Sequence, residues 1–258
     1  MIRGQRSRRS VVVVTGGGSG IGFALARRLH AEGARVAIVD RHGDGVGGAT
    51  ELLDGSVGYT ADVTDEAVVT EVVAKIEARL GPIDVYCSNA GVPVGHGLGS
   101  DEEWSEAWAT HALAHVYAAR AVLPKMAARG SGHFVVTAAA SGLLMMMQSA
   151  PYTVSNHAAV SLAEWLAVEY GDSGVGIHCV APQGVRTPMV TRDAGVLAEV
   201  TASGAIIDPV DVAEAVMTAL AENRFLVLPH PAVQDYERAK VHDRDAWLAG
   251  LRELRKRI

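Results

Sequence analysis

Cysteine, long apolar runs and net positive charge are all scarce in this chain. Of 258 residues two are cysteines, Cys87 and Cys179. Both fall in apolar, strand-like runs, which points to buried reduced thiols of a cytoplasmic protein rather than a disulfide framework. No apolar stretch approaches the ~20 residues a membrane span requires, so a membrane partner is not expected. The formal net charge is −6, and an acidic chain lacks the broad basic surface that nucleic acid requires. Arg3, Arg6, Arg8 and Arg9 are a local exception. The apolar run behind them is short and turns at once into glycine, so it forms no signal-peptide core, and 1–9 reads as a disordered arm.

What the chain has in quantity is apolar residues, 49% of the total. A sizeable core is possible, and an α/β chain of this length is commonly one domain, here 1–258. The organising stretch is VVVVTGGGSGIG, residues 11–22. Four valines in a row suit a strand buried on both faces, as in a parallel sheet. Gly16, Gly18, Ser19, Gly20, Ile21 and Gly22 then let backbone N–H groups approach a pyrophosphate, with the positive end of the following helix behind them.

Strands and helices alternate from there. A second buried strand, 34–39, ends at Asp40, about 20 residues beyond the glycine loop, where an acid accepts hydrogen bonds from a ribose diol and repels a 2′-phosphate. NAD(H) is therefore favoured, and Arg41 beside the acid keeps NADP(H) possible. The glycine-rich 42–55 reads as a poor helix at best. Further strands are expected at 57–60, 83–87, 133–137, 176–180 and 225–228, and helices at 65–80, 101–129, 153–170 and from Pro209. The tail 231–258, with Trp247, Leu248, Leu251 and Leu254, reads as one amphipathic helical extension. This is a Rossmann-type, doubly wound parallel α/β sheet of about seven strands, with its ligand at the carboxyl ends of the strands. His111 and His115 have i, i+4 spacing, but no glutamate lies between them and no third ligand is evident, so no metal is expected.

The spacing Thr15-Gly16 to Gly20-Ile21-Gly22, together with Asn89-Ala90-Gly91 and Tyr152, resembles the short-chain dehydrogenase/reductase family. The resemblance implies that Asp62 and Val63 meet the adenine ring. It also implies that Asn89, Ala90 and Gly91 lie against the cofactor, and that Val185 and Thr187 sit in the loop contacting the nicotinamide carboxamide. Tyr152 falls at the catalytic tyrosine. Ala139, Ser141, Leu143 and Met189 then fall on the substrate side, with 189–205 as a lid over a small-molecule substrate. A homotetramer or homodimer through helices 101–129 and 153–170 is also implied.

The pattern departs from the family at three positions. Asn156 stands for the lysine, Ala139 for the serine, and His111 for an asparagine whose backbone helps hold a proton-relay water. A free phenol titrates near about 10 and a neighbouring ammonium would lower it. Asn156 supplies no charge, so Tyr152 is expected to stay protonated: a hydrogen-bond donor or weak acid, and a poor base. The leading expectation is an NAD(P)-dependent oxidoreductase acting on a small apolar carbonyl, alcohol or imine, with Tyr152, His111 and Asn156 at its centre. Two alternatives stay open, a cofactor-binding regulator and a lyase or isomerase using Tyr152 and His111 as an acid–base pair.

Overall fold

Runs of β-branched residues build the centre of the molecule, described by a computed structural model over residues 9–93 and 95–256. The disordered arm expected at 1–9 lies, but for Arg9, outside the described residues. Val11–Thr15 (β1), Arg35–Asp40 (β2), Val57–Thr60 (β3), Val85–Ser88 (β4), Gly132–Thr137 (β5), Val175–Val180 (β6) and Leu226–Val227 (β7) form one seven-stranded sheet in the order β3-β2-β1-β4-β5-β6-β7. Every pairing is parallel. The helices are Gly20–Ala31 (α1), Gly43–Leu52 (α2), Glu66–Leu80 (α3), Asp101–Trp108 (α4), Ala114–Ala128 (α5) and Ala150–Tyr170 (α6). They continue as Pro188–Thr191 (α7), Ala194–Ser203 (α8), Pro209–Glu222 (α9), Ala232–His242 (α10) and Arg244–Arg255 (α11).

Side chains of successive strand residues point to opposite faces, so the valines of β1 divide between two cores. Val11 and Val13 join the core under α3, α5 and α6, while Val12 and Val14 join the one under α1 and α9. A strand buried on both faces has no room for polar residues, which explains the unbroken valine run. The two free, buried cysteines belong to different cores, Cys87 to one and Cys179 to the other. Among the described residues no helix is long and apolar enough to cross a membrane.

Local chemistry sets the helix ends. The Asp65 carboxylate accepts from the Ala67 and Val68 N–H groups and starts α3. Ser100 with Glu103, and Asp208 with Asp211, form reciprocal caps on α4 and α9, each satisfying otherwise orphaned N–H groups.

Three expectations are corrected here. The glycine-rich 42–55 does form a helix, α2, because Val46 and Ala49 are buried when it packs on β2 and β3. Tertiary burial offsets the ~1 kcal/mol per glycine that propensity costs. The helical run from 101 is not uniform, since residues Ala109–Leu113 widen into a π-turn between α4 and α5. The tail is two helices, broken at Asp243, whose extended backbone lets its carboxylate accept from Ala246 N–H and cap α11.

Candidate active site

Strand order reverses about β1, so the loops after β1 and β4 diverge and leave a crevice at the carboxyl ends of the strands. A cleft of about 470 Å³ occupies that position. Gly16, Ser19, Gly20, Ile21 and Gly22 line one side of it. Gly16 has φ +63°, and a Cβ there would press on Ala90 Cα at 2.9 Å. A Cβ on Gly22 would run into the Gly16 carbonyl oxygen, so the loop closes tightly only with glycine at both places. Gly18 does not line the cleft; its N–H instead donates to Asp40 Oδ2 at 3.1 Å. Asp40 lines the cleft and also accepts from His42 N–H at 3.0 Å through Oδ1.

On the far side, Asp62 and Val63 line the cleft. Asp62 Oδ1 accepts from the Thr64 hydroxyl at 2.7 Å and the Thr64 N–H at 2.9 Å. These bonds hold its carboxyl below the usual range. The helix that follows is capped by Asp65 and not by Asp62. Asn89 Nδ2 donates across the sheet to Thr15 O at 3.0 Å, and the Thr15 hydroxyl accepts from the Asn89 and Ala90 N–H groups. Ala90, Gly91, Val185 and Thr187 complete the lining. Among the described residues, Asn89 Oδ1 and Thr137 Oγ1 are buried without a hydrogen-bond partner. Buried polar atoms are rarely left so, and both belong to residues lining this cleft. A glycine cradle, a strand-end acid and unpartnered polar atoms together fit a dinucleotide.

Tyr152, His111 and Asn156 gather at the inner end of the cleft. The His111 ring meets Tyr152 edge-on, with centroids 5.2 Å apart. Val92 N–H donates to His111 Nε2 at 3.1 Å, so the imidazole carries its proton on Nδ1 and donates it to Ser155 Oγ at 2.9 Å. Ser155 Oγ in turn donates to the Tyr152 carbonyl at 3.3 Å. Burial pushes the His111 pKa down to about 4 and the Tyr152 pKa up to about 12. Asn156 is buried, and its Nδ2 donates to the Tyr152 carbonyl at 2.9 Å. His115 points elsewhere, its Nδ1 bonded to Ser88 Oγ at 2.6 Å. Among the described residues no group of three side chains could hold a metal ion.

Beyond Tyr152 lies a second cavity of about 210 Å³. Tyr152, Ala139 and Met189 line both spaces, and Ser141 lines the second. Leu143 is a correction, since it lines neither and packs against the α3, α5 and α6 core. Its neighbours Leu144, Met145 and Met146 supply the apolar wall. The region 189–205 is two helices, α7 and α8, over this cavity. Glu199 of α8 is buried in the wall, where Oε1 accepts from Met147 N–H at 2.6 Å and Oε2 from Gln148 N–H at 3.1 Å. Burial pushes its pKa up, and the two N–H groups oppose that.

This is the architecture of a known family. Residues 10–195 match the family model of the short chain dehydrogenases. The chain belongs to that family. A relative from Streptomyces avermitilis, 1-deoxy-11-beta-hydroxypentalenate dehydrogenase, is 39% identical over 235 residues, covering 87% of this chain and 86% of that protein. Levodione reductase from Leifsonia aquatica is 35% identical over 189 residues, or 70% of this chain and 71% of that one. The crystal structure of a short chain dehydrogenase/reductase from Burkholderia phymatum in complex with NAD is similar with a TM-score of 0.84 at 26% identity, covering 92% of this chain and 95% of that chain.

In this short chain dehydrogenase, an oxidoreductase, several residues at the site have no motif to announce them. Ser155 and Val92, which fix the His111 ring, sit in runs that resemble any helix or loop. Glu199 carries a faint signal, as the lone acid within AGVLAEVTAS. Lys240 of α10 carries none, yet its Nζ donates to the carbonyls of Leu143 and Leu144 beside the second cavity.

Proposed function

We propose that the protein is an NAD(H)-dependent reductase of a small apolar carbonyl or imine, in which Tyr152 is the one residue retained of the family's tyrosine, lysine and serine. The observation carrying this reading is the position of Tyr152, half-buried in the wall shared by the cleft and the second cavity. The residues that would hold the dinucleotide are the 16–22 loop at the pyrophosphate, Asp40 at the ribose diol, Asp62 and Val63 at the adenine, and Asn89–Gly91, Val185 and Thr187 toward the nicotinamide. Bound there, a nicotinamide dinucleotide supplies or takes up hydride. Tyr152 Oη keeps its proton at neutral pH, which suits hydrogen-bond donation to an acceptor and disfavours removal of a proton from an alcohol. Ser141, rather than Ala139, supplies the hydroxyl on the substrate side. His111 acts as a positioning residue, since both ring nitrogens are committed to Val92 and Ser155. That commitment also counts against a lyase or isomerase using His111 with Tyr152. A cytoplasmic location fits the buried reduced thiols, and self-association through α4–α5 and α6 fits the exposure of Trp108, Trp165 and Val168.

Fluorescence titration of NADH and NADPH, followed by an absorbance screen of carbonyls, alcohols and cyclic imines, tests the reading. NADH is expected to bind tighter, Asp40→Ala to narrow the difference by about tenfold or more, and reduction to exceed oxidation. Tight NADH binding with no turnover across the panel would instead make the chain a dinucleotide sensor.

A further inference from the structure

The second cavity is smaller than the roughly 300–1,000 Å³ typical of drug-sized sites. Most of its wall is apolar, from Leu144, Met145, Met146, Val196 and Val200. Two features of the remainder are unusual. Asp193 and Glu199 both line it, while no lysine or arginine does among the described residues. Asp193 is already engaged, capping α8 and lying 3.4 Å from His96 Nε2. Glu199 is 4% exposed and accepts one backbone N–H on each oxygen; these bonds and, less strongly, Arg255 favour its ionised form against the burial that opposes it. Independently, Ser141 is 8% exposed, and its Oγ is buried with no hydrogen-bond partner among the described residues. A buried hydroxyl and a buried carboxylate without a facing cation both call for a ligand that brings a charge or a donor.

We propose that this cavity takes a small apolar cation, a cyclic ammonium or iminium ion, with the Glu199 carboxylate as its counter-charge and Ser141 Oγ as its hydrogen-bond acceptor. An anionic substrate would meet two carboxylates and, among the described residues, neither lysine nor arginine, with His96 turned to Asp193, and is disfavoured by the same charge balance. The inference rests on the reductase reading above and narrows it to one substrate class. It also accounts for the altered residues around Tyr152. When an iminium carbon takes up hydride, the C=N electron pair moves onto nitrogen, the substrate becomes a neutral amine and the dinucleotide ends oxidised. No proton leaves the protein, so Asn156 in place of a lysine and Ala139 in place of a serine cost that reaction little.

The test is calorimetric and needs no turnover. The full chain is titrated at pH 7.5 with piperidine, which is protonated there, and with tetrahydropyran, an uncharged ring of the same shape, each with and without NADH. Piperidinium is expected to bind at least about tenfold tighter. Glu199→Gln should abolish the preference while tetrahydropyran binding persists. Because Glu199 also anchors α8, Val200→Lys provides a second variant, placing a cation in the cavity and leaving the anchor intact; it too should lose piperidinium. Equal or weaker binding of piperidinium by the unaltered protein, no binding of either ring, or a preference that survives Val200→Lys would overturn the proposal. Failure of NADH to bind while piperidinium does would sink the reductase reading and leave the cation site standing.

Discussion

Asn156 is the residue at which a single missing charge has the largest chemical consequence. It lies one helical turn beyond Tyr152, lines the cleft, and its amide is tied to the Tyr152 carbonyl. An ammonium in its place would stabilise phenolate, opposing the burial that now raises the phenol to about 12. The double variant Asn156→Lys with Ala139→Ser is therefore expected to raise carbonyl reduction by on the order of 10²-fold, with iminium reduction changed little. Steady-state rates on paired carbonyl and iminium substrates check this. No gain with carbonyls would mean that substrate fit, rather than proton chemistry, sets the rate. The three altered positions were legible in the sequence because the intact motifs around them fixed the count. The role of His111 was not, since one histidine in a helix looks the same whether its ring nitrogens are free or committed.

Among the elements, the C-terminal helix pair has a function that its amphipathic pattern did not reveal. Trp247, Leu248, Leu251 and Leu254 are half-buried on α11, while Lys240 of α10 stacks on Trp247 at 5.4 Å and reaches over to the turn after β5. There Nζ donates to the Leu143 and Leu144 carbonyls and approaches His157 Nε2 at 3.4 Å. The pair thus pins the segment that walls the second cavity. Lys240→Ala should cost about 1–2 kcal/mol of stability. It should also raise KM several-fold with NADH affinity unchanged, and speed amide exchange in residues 143–148. Exchange that stays at the level of the unaltered protein would show that the segment is held by α8 alone. The π-turn at Ala109–Leu113 is a comparable case. A π-turn is rare, often found at functional sites, and places Thr110 and His111 on the cleft wall.

At the scale of the whole molecule, the buried and half-buried histidines make the fold acid-sensitive. Burial lowers His111 to about 4, His115 to about 3 and His133 to about 4, against an ordinary value near about 6.5. Below pH 6.5 the unfolded chain therefore takes up protons that the folded chain refuses, so stability is fully present above that pH and is lost as pH falls toward 4. Each such group contributes up to about 1.4 kcal/mol per pH unit across that window. Thermal unfolding followed from pH 8 to pH 4.5 should show a flat Tm that turns steeply downward below about 6.5. A Tm unchanged down to 4.5 would mean that these rings become hydrated before the chain unfolds.

The sequence by itself determined the sheet, the dinucleotide cradle and the alternation of strands and helices. Each depends on short-range rules: a β-branched run suits a strand buried on both faces, glycine permits the backbone of the 16–22 loop, and an acid ends the second strand. The resemblance to the family, rather than these rules, marked Asn156, Ala139 and His111 as departures. Only the tertiary structure decided what depends on residues far apart in the chain. It gave His111 its two partners, 19 residues before it and 44 after it. It turned Leu143 into the core and Leu144 toward the cavity, made a helix of glycine-rich 43–52 by giving it a sheet to cover, and placed Glu199 in the wall of the second cavity. The backbone pattern is local and can be read along the chain, whereas the charge and shape of the second cavity arise from segments brought together by the fold.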